Sequence, residues 1–173
     1  MTDDTQTSRP TCFPDEPQQP APGLTTEMRT KPDHGEDSYV GKGLLTDKAA
    51  LITGGDSGIG RAVAIAYARE GADVALSYLA EEQADAEETR AWIEKAGRRC
   101  LLLPGDIRDR DHCASLVEQT VAAFGGLDIL VNNAAAQTIN AGLDSIDDDE
   151  MQDAFAANVF AMIRLAKAAA PRM

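Results

Sequence analysis

The sequence predicts an α/β fold, an open parallel sheet of about four strands with helices on both faces. Two observations carry that expectation. Beyond Leu45, short wholly apolar runs alternate with longer stretches of helical periodicity, the pattern of strand–helix–strand units whose strands pair in parallel. The first of these runs opens into a turn with glycines at 54, 55, 58 and 60. Such a turn suits a tight junction between a buried strand and a helix.

The elements follow in order. Six of the eight prolines lie before residue 33, among Gln, Thr and Asp and with almost no periodic apolar residues. Such a stretch buries too little apolar surface to offset its ordering entropy. Residues 1–44 are therefore expected to form an extended or disordered arm, either solvated or wrapped on a partner subunit. The domain proper is expected over residues 45–173.

Ala49-Ala50-Leu51-Ile52 reads as a first strand ending in Thr53-Gly54-Gly55. Ile59, Val63, Ala64 and Tyr67 then stand at helical spacing over residues 58–70, and Gly71 stops that helix. Residues 74–79 form a second apolar run, followed by a helix over 81–95 with Gly97 beyond it. Cys100 to Leu103 is a third strand, and residues 109–124 are a helix closed by Gly125-Gly126. Residues 127–131 make a fourth strand. A last helix is expected from about Asp147–Asp149 to Ala170.

Composition narrows the function classes. A length of 173 residues with 43% apolar content fits one domain with a real core. The formal charge of −13 argues against a nucleic-acid surface, which needs clustered Lys and Arg. No apolar run reaches the ~18 residues of a membrane span. Residues 1–20 lack the basic start and apolar stretch of a secretory signal, so a cytoplasmic location is expected, with no membrane and no nucleic-acid partner. Cys12, Cys100 and Cys113 share no metal or disulfide spacing, and His34 and His112 have no ligand partner at metal spacing. Cys100 reads as a core filler and the two histidines as structural or solvated.

The turn Thr53-Gly54-Gly55-Asp56-Ser57-Gly58-Ile59-Gly60 carries the chemistry. Glycines at 54, 58 and 60 permit a tight turn, approach of a phosphate to the backbone, and close helix–strand packing. The free N–H groups and positive dipole end of the following helix then suit a pyrophosphate. Because the turn follows a strand and opens a helix, it reads as a Rossmann-type dinucleotide-binding junction. Arg61 follows Gly60 where a phosphate-loop nucleotidase would place Lys and then Ser or Thr.

Later motifs make the chain resemble the short-chain dehydrogenase/reductase family. Thr53 to Gly60 matches the family's TGxxxGIG turn. Asp106 in Gly105-Asp106-Ile107 matches its aspartate after the third strand. Asn132-Asn133-Ala134-Ala135 matches its NNAG segment, with Ala135 in place of Gly, and Asn158 matches the Asn of its fifth helix. Within the family, Gly54 to Gly60, residues 132–137 and the Pro- and Gln-rich arm are similar to the bacterial general-stress, glucose/ribitol-dehydrogenase-like reductases.

The resemblance implies an NAD(P)-dependent oxidoreductase that interconverts an alcohol or sugar hydroxyl with a carbonyl, homo-oligomeric in the full-length family. It implies that Thr53, Gly54, Asp56, Ser57, Gly58, Ile59 and Gly60 hold the pyrophosphate and that Asp106 and Ile107 flank the adenine. Asn132 and Ala134 would border the adenosine side of the cleft. Tyr78 stands where NAD enzymes often place an acid for the ribose, and Glu81 or Glu82 offers a substitute, so NAD and NADP both remain open. Asn158 would be the member of the family's Asn-Ser-Tyr-Lys set present here, kinking its helix and holding a water of the proton relay.

Hydride transfer to a carbonyl leaves an alkoxide that needs a proton, which the family draws from a Tyr with Lys four residues later. Here Tyr39 is followed at that spacing by Gly43, Tyr67 by Gly71 and Tyr78 by Glu82. The chain is thus expected to be the N-terminal part of such an enzyme, ending after the fifth family helix and inactive alone. A non-catalytic dinucleotide-binding or interaction module, or a gene fragment without independent function, are the alternative readings.

Overall fold

A computed structural model describes residues 19, 23–138 and 140–173. Four parallel strands, β1 (Ala49–Thr53), β2 (Asp73–Tyr78), β3 (Cys100–Pro104) and β4 (Ile129–Val131), lie in the order β3-β2-β1-β4. The helices α1 (Gly58–Arg69), α2 (Gln83–Lys95) and α3 (Arg110–Phe124) connect them. This is the doubly covered Rossmann-type sheet, with the chain reversing outward from β1 in both directions.

Strand alternation divides the core in two. Leu51, Ala75 and Leu103 face Leu116, Val117 and Leu165 on one side of the sheet. Their neighbours Ile52, Val74 and Leu76 face Ala64, Ala68 and Ile93 on the other. Because successive strand side chains point to opposite faces, a strand covered twice must be apolar throughout. Every residue of β1 and β2 is buried.

Helix ends follow local chemistry. Asp109 caps α3 by accepting from the Asp111 N–H at 2.8 Å, and Gly125, at φ +88°, closes it with its N–H on the Val121 carbonyl. Three boundaries depart from the periodicity. The second helix begins at Gln83 after a single 3-10 turn (Ala80–Glu82), and β4 pairs only over residues 129–131. The last helix is not uniform: α4 (Asp148–Phe155) passes through a π-helical stretch (Ala156–Phe160) into α5 (Ala161–Ala169).

The apolar face of α1 also differs from the spacing read above. Ile59 is 77% exposed, whereas Gly60, Arg61, Ala64, Ile65 and Ala68 are buried. The small residues Gly60, Ala64 and Ala68 form a ridge at i, i+4, i+8 that brings the helix against the sheet. That close approach turns Ile59 outward.

The expectation for residues 1–44 divides by position. Residues 1–18 and 20–22, with Cys12, lie outside the described residues. From Gly23 onward the arm runs along α1 and α2. It makes a 3-10 turn at Thr25–Glu27 and buries Thr25 and His34. Glu70, at the end of α1, accepts from the N–H groups of Lys42 and Leu44 at 2.9 and 2.8 Å and from the Tyr39 hydroxyl. The Arg69 guanidinium reaches the carbonyls of Glu36 and Tyr39. The order here comes from backbone hydrogen bonding to helix residues, which composition does not register.

Candidate functional site

All four strands deliver their carboxyl ends to one cleft, as parallel order requires. The cleft encloses about 740 Å³ and is bounded by the turn after β1, the ends of β2 and β3, the segment after β4 and one side of α4. Of the sequence-predicted residues, Gly54, Asp56, Ser57, Gly58, Ile59, Tyr78, Ile107 and Ala134 line it. Thr53, Gly60, Asp106, Asn132 and Asn158 are not among the lining residues.

Three of the turn's four glycines have three separate reasons. A Cβ on Gly60 would lie 1.8 Å from the Gly54 carbonyl oxygen, so helix and strand meet backbone to backbone. Gly54 has φ +61° while its N–H donates to the Ser77 carbonyl at 2.7 Å, joining β1 to β2. Gly58, at φ +51°, would direct a Cβ into open space. Ser57 precedes the helix in extended conformation without a side-chain cap, and no acid occupies the first turn. The helix therefore presents its N–H groups to the cleft with no side chain covering them, an arrangement suited to an anion.

Thr53 works from beneath. Its hydroxyl oxygen accepts from the N–H groups of Asn133 and Ala134 at 3.0 and 3.1 Å. The Asn133 amide donates in turn to the carbonyls of Thr53 and Gly54 at 3.0 and 2.9 Å. Asn133, rather than Asn132, thus ties the turn to the strand beside it and borders the cleft. The Asn132 side-chain oxygen is buried with no protein partner.

Asp56 is 1% exposed, and its Oδ2 has no hydrogen-bond partner. Burial pushes its carboxyl above the usual range, against its own backbone N–H and Ser57. Glu82, across the same end of the cleft, is pushed up by burial and then by repulsion from Asp56. The Tyr78 phenol donates to Gln83 Oε1 at 2.6 Å, so its oxygen is engaged by α2.

Asp106 is tied within its own loop. It accepts from the Arg108 N–H at 2.8 Å and forms an ion pair with the Arg108 guanidinium at 2.6 Å. Burial pushes the Asp106 carboxyl up, but Arg108 outweighs it and the group lies below the usual range. Arg108 also pairs with Asp153 of α4 at 2.6 Å, so a cation on the cleft wall is bracketed by two carboxylates. Gly105, at φ +152°, leaves room for the His112 ring, which would lie 2.4 Å from a Cβ there.

Asn158 sits within the π-helical stretch. Its Oδ1 accepts from the Ala136 N–H and its Nδ2 donates to the Ala136 carbonyl, both at 2.7 Å. A strand-like backbone pairing is thereby supplied by one side chain, which fixes the segment after β4 along the cleft. Such π insertions recur where a helix must aim a functional side chain.

Several cleft residues escaped the sequence reading, among them Ser77, Leu79, Asn133, Arg108 and Asp153. The doubled Asn at 132–133 was a usable signal for Asn133. Arg108 and Asp153 lie far apart in sequence and carried none. Among the described residues no group of His, Cys, Asp and Glu could hold a metal ion, and no helix is long and apolar enough to cross a membrane. Burial pushes the Cys100 thiol up to about 12 and raises Cys113 as well, which leaves neither suited as a nucleophile.

A family model described as short chain dehydrogenase matches residues 48–173. The chain is 50% identical over 159 residues to the uncharacterized oxidoreductase YhxD of Bacillus subtilis, covering 92% of this chain and 53% of that protein. It is 44% identical over 160 residues to General stress protein 39 of Bacillus subtilis, covering 92% and 56%. Among solved structures it resembles a short chain dehydrogenase from Burkholderia cenocepacia in complex with NADP, with TM-score 0.70, 39% identity, and coverage of 75% of this chain and 52% of that one. It also resembles a carveol dehydrogenase from Mycobacterium avium in complex with NAD, with TM-score 0.70, 31% identity, and coverage of 76% and 51%. The chain spans about half the length of the relatives it matches. With its glycine turn, parallel sheet and family match in agreement, the chain belongs to the short-chain dehydrogenase family of oxidoreductases.

Proposed function

We propose that this chain supplies the dinucleotide-binding part of an NAD(P)-dependent oxidoreductase that interconverts an alcohol or sugar hydroxyl with a carbonyl by hydride transfer. The observation that carries the reading is the uncapped start of α1 at Gly58, open to a cleft at the carboxyl ends of the strands. Backbone N–H groups around Ser57 to Ile59 would hold the diphosphate. Ile107 and Ala134 would border the adenosine, with Asp106 and Asn132 close by in the chain, and Tyr78 with Glu82 would stand at the ribose. When bound, the nicotinamide supplies or accepts the hydride.

Asn158 acts on this site through Ala136, by fixing the backbone that borders the cleft. No Tyr in the sequence has a Lys four residues on. We therefore assign binding to this chain without turnover, in a cytoplasmic setting and with a small alcohol or carbonyl as the substrate of the complete enzyme. Self-association would use the exposed apolar side chains of Phe155, Phe160 and Ile163 along the last helix.

Calorimetric titration of the chain with NADH and NADPH tests the reading. Saturable binding of either one, displaced by ADP, is the expected result, with no oxidation of glucose or reduction of simple aldehydes above background. Absence of binding by a folded chain would overturn the dinucleotide assignment. Turnover above background would overturn the assignment of binding alone.

A further inference from the structure

The phosphate-facing turn is held from its outer side by a buried polar chain that reaches the N-terminal arm. The Asp56 carbonyl accepts from Arg61 Nε at 2.9 Å and from the Thr89 hydroxyl at 2.8 Å. Arg61 is 1% exposed, and its guanidinium turns away from the cleft to the Asp85 carbonyl at 3.1 Å, Asp85 Oδ1 at 3.4 Å and Glu88 at 3.2 Å. Asp85 is fully buried, and its other oxygen, Oδ2, accepts from the Thr25 backbone N–H at 2.8 Å. A buried carboxylate needs every lone pair directed, and a guanidinium is oriented only as well as its partner is.

A second contact follows the same path. Leu24 and Met28 share with Ser57 and Gly58 the lining of a hollow of about 350 Å³. Gln19 clamps the backbone of Leu24 from both directions, its Nε2 on the carbonyl at 3.0 Å and its Oε1 on the N–H at 2.7 Å. Ser57 and Gly58 therefore line both the cleft and this hollow beside the arm.

We propose that the arm is a positioning element of the dinucleotide site: Thr25, through Asp85 and Arg61, sets the backbone of Asp56 to Gly58 that faces the diphosphate. The inference rests on the dinucleotide reading above. It assigns to a segment outside the sheet, and outside the glycine turn, a share of phosphate affinity. Thr25, Asp85 and Arg61 act through the turn and touch no ligand themselves.

Thr25→Pro breaks the key contact, together with the buried Thr25 side chain. Leu24 is extended (ψ 131°), as a residue before proline must be, and position 25 opens a 3-10 turn where proline is accepted. The substitution removes the N–H that Asp85 accepts and leaves the turn's other backbone bonds in place. Titration of the full chain and of Thr25→Pro with ADP, NADPH and adenosine is the test. Weaker binding of ADP and NADPH by about five- to twentyfold, with adenosine unchanged, is expected, because only part of the lost hydrogen bond is transmitted through Asp85 and Arg61 to the turn.

Equal affinities in the two proteins overturn the inference alone, and so does a uniform loss that includes adenosine, which would mark the arm as a support of the fold. If the unaltered, folded chain binds neither ADP nor a dinucleotide, the functional reading falls and the inference with it. Should Thr25→Pro not fold, hydrogen exchange on the unaltered chain decides. Saturating ADP is expected to slow exchange of the Thr25 amide, and an unchanged rate overturns the proposal.

Discussion

The two helical flanks of the sheet are built on different principles. On the α1–α2 flank, small residues let the helix approach the strands, and a buried arginine with two carboxylates closes the outer layer, over which the arm lies. On the other flank, α3 packs against α5 through Leu116, Val117, Leu165 and Ala169, while the far side of the last helix exposes Met151, Phe155, Phe160 and Ile163. On the first flank Arg61 and Asp85 find their partners within the chain, while Asp56 Oδ2 is left buried without one. The second leaves an apolar ridge in contact with water. Polar side-chain contacts are concentrated around the glycine turn, on the first flank.

That contrast makes graded predictions. The largest effect is expected for Arg61→Met. It leaves Asp85 buried beside Thr25 without its cation, and removal of one partner from a buried pair costs about 3–5 kcal/mol. Denaturant unfolding checks this, and a loss below that of an ordinary surface substitution would break the comparison.

Gly60→Ala comes next. Its Cβ would meet the Gly54 carbonyl at 1.8 Å, so α1 must move off the strand. Overpacking of this kind costs about 1–3 kcal/mol, and dinucleotide binding should fall with it, as calorimetry would record.

A smaller effect is expected from acid. Burial pushes the Asp73 carboxyl up, but the Arg99 N–H and guanidinium, with Arg98, outweigh burial and hold it below its ordinary 3.8. The unfolded chain therefore takes up the proton first as pH falls. Asp73 contributes stability above the ordinary carboxylate value, and that contribution fades as pH drops through the lower folded value. Urea midpoints at about pH 5 and about pH 3 should differ less in Asp73→Asn than in the unaltered chain.

The smallest effect is expected on the ridge. Ile163→Ser, at a position 61% exposed, should leave the stability of the monomer within about 0.5 kcal/mol. A large loss would show that the ridge is part of the core and that the contrast between flanks is false.

Much of this arrangement was legible in the sequence. The strands could be read because residues covered on both faces are apolar without interruption, and the turn because its glycines fall between a strand and a helix. The orientation of α1 could not. Ile59 fits a helical apolar face by spacing, but the backbone contact between Gly60 and Gly54 rotates it outward and turns Arg61 inward. A buried arginine is invisible to periodicity, because its partners Asp85 and Glu88 lie on the next helix. The division of labour between Asn132 and Asn133 was equally hidden, since identical neighbours differ only in which side of β4 each one faces.

The order of elements and the glycine turn were decided by local sequence, because they depend on which dihedral angles and which residue types neighbouring positions allow. The docking of residues 23–44, the Arg61–Asp85 pairing and the clamp of Asn158 on Ala136 were decided by the tertiary structure. Each joins polar groups separated by many residues. Such groups become partners only after the sheet has excluded water and left them no other donor or acceptor.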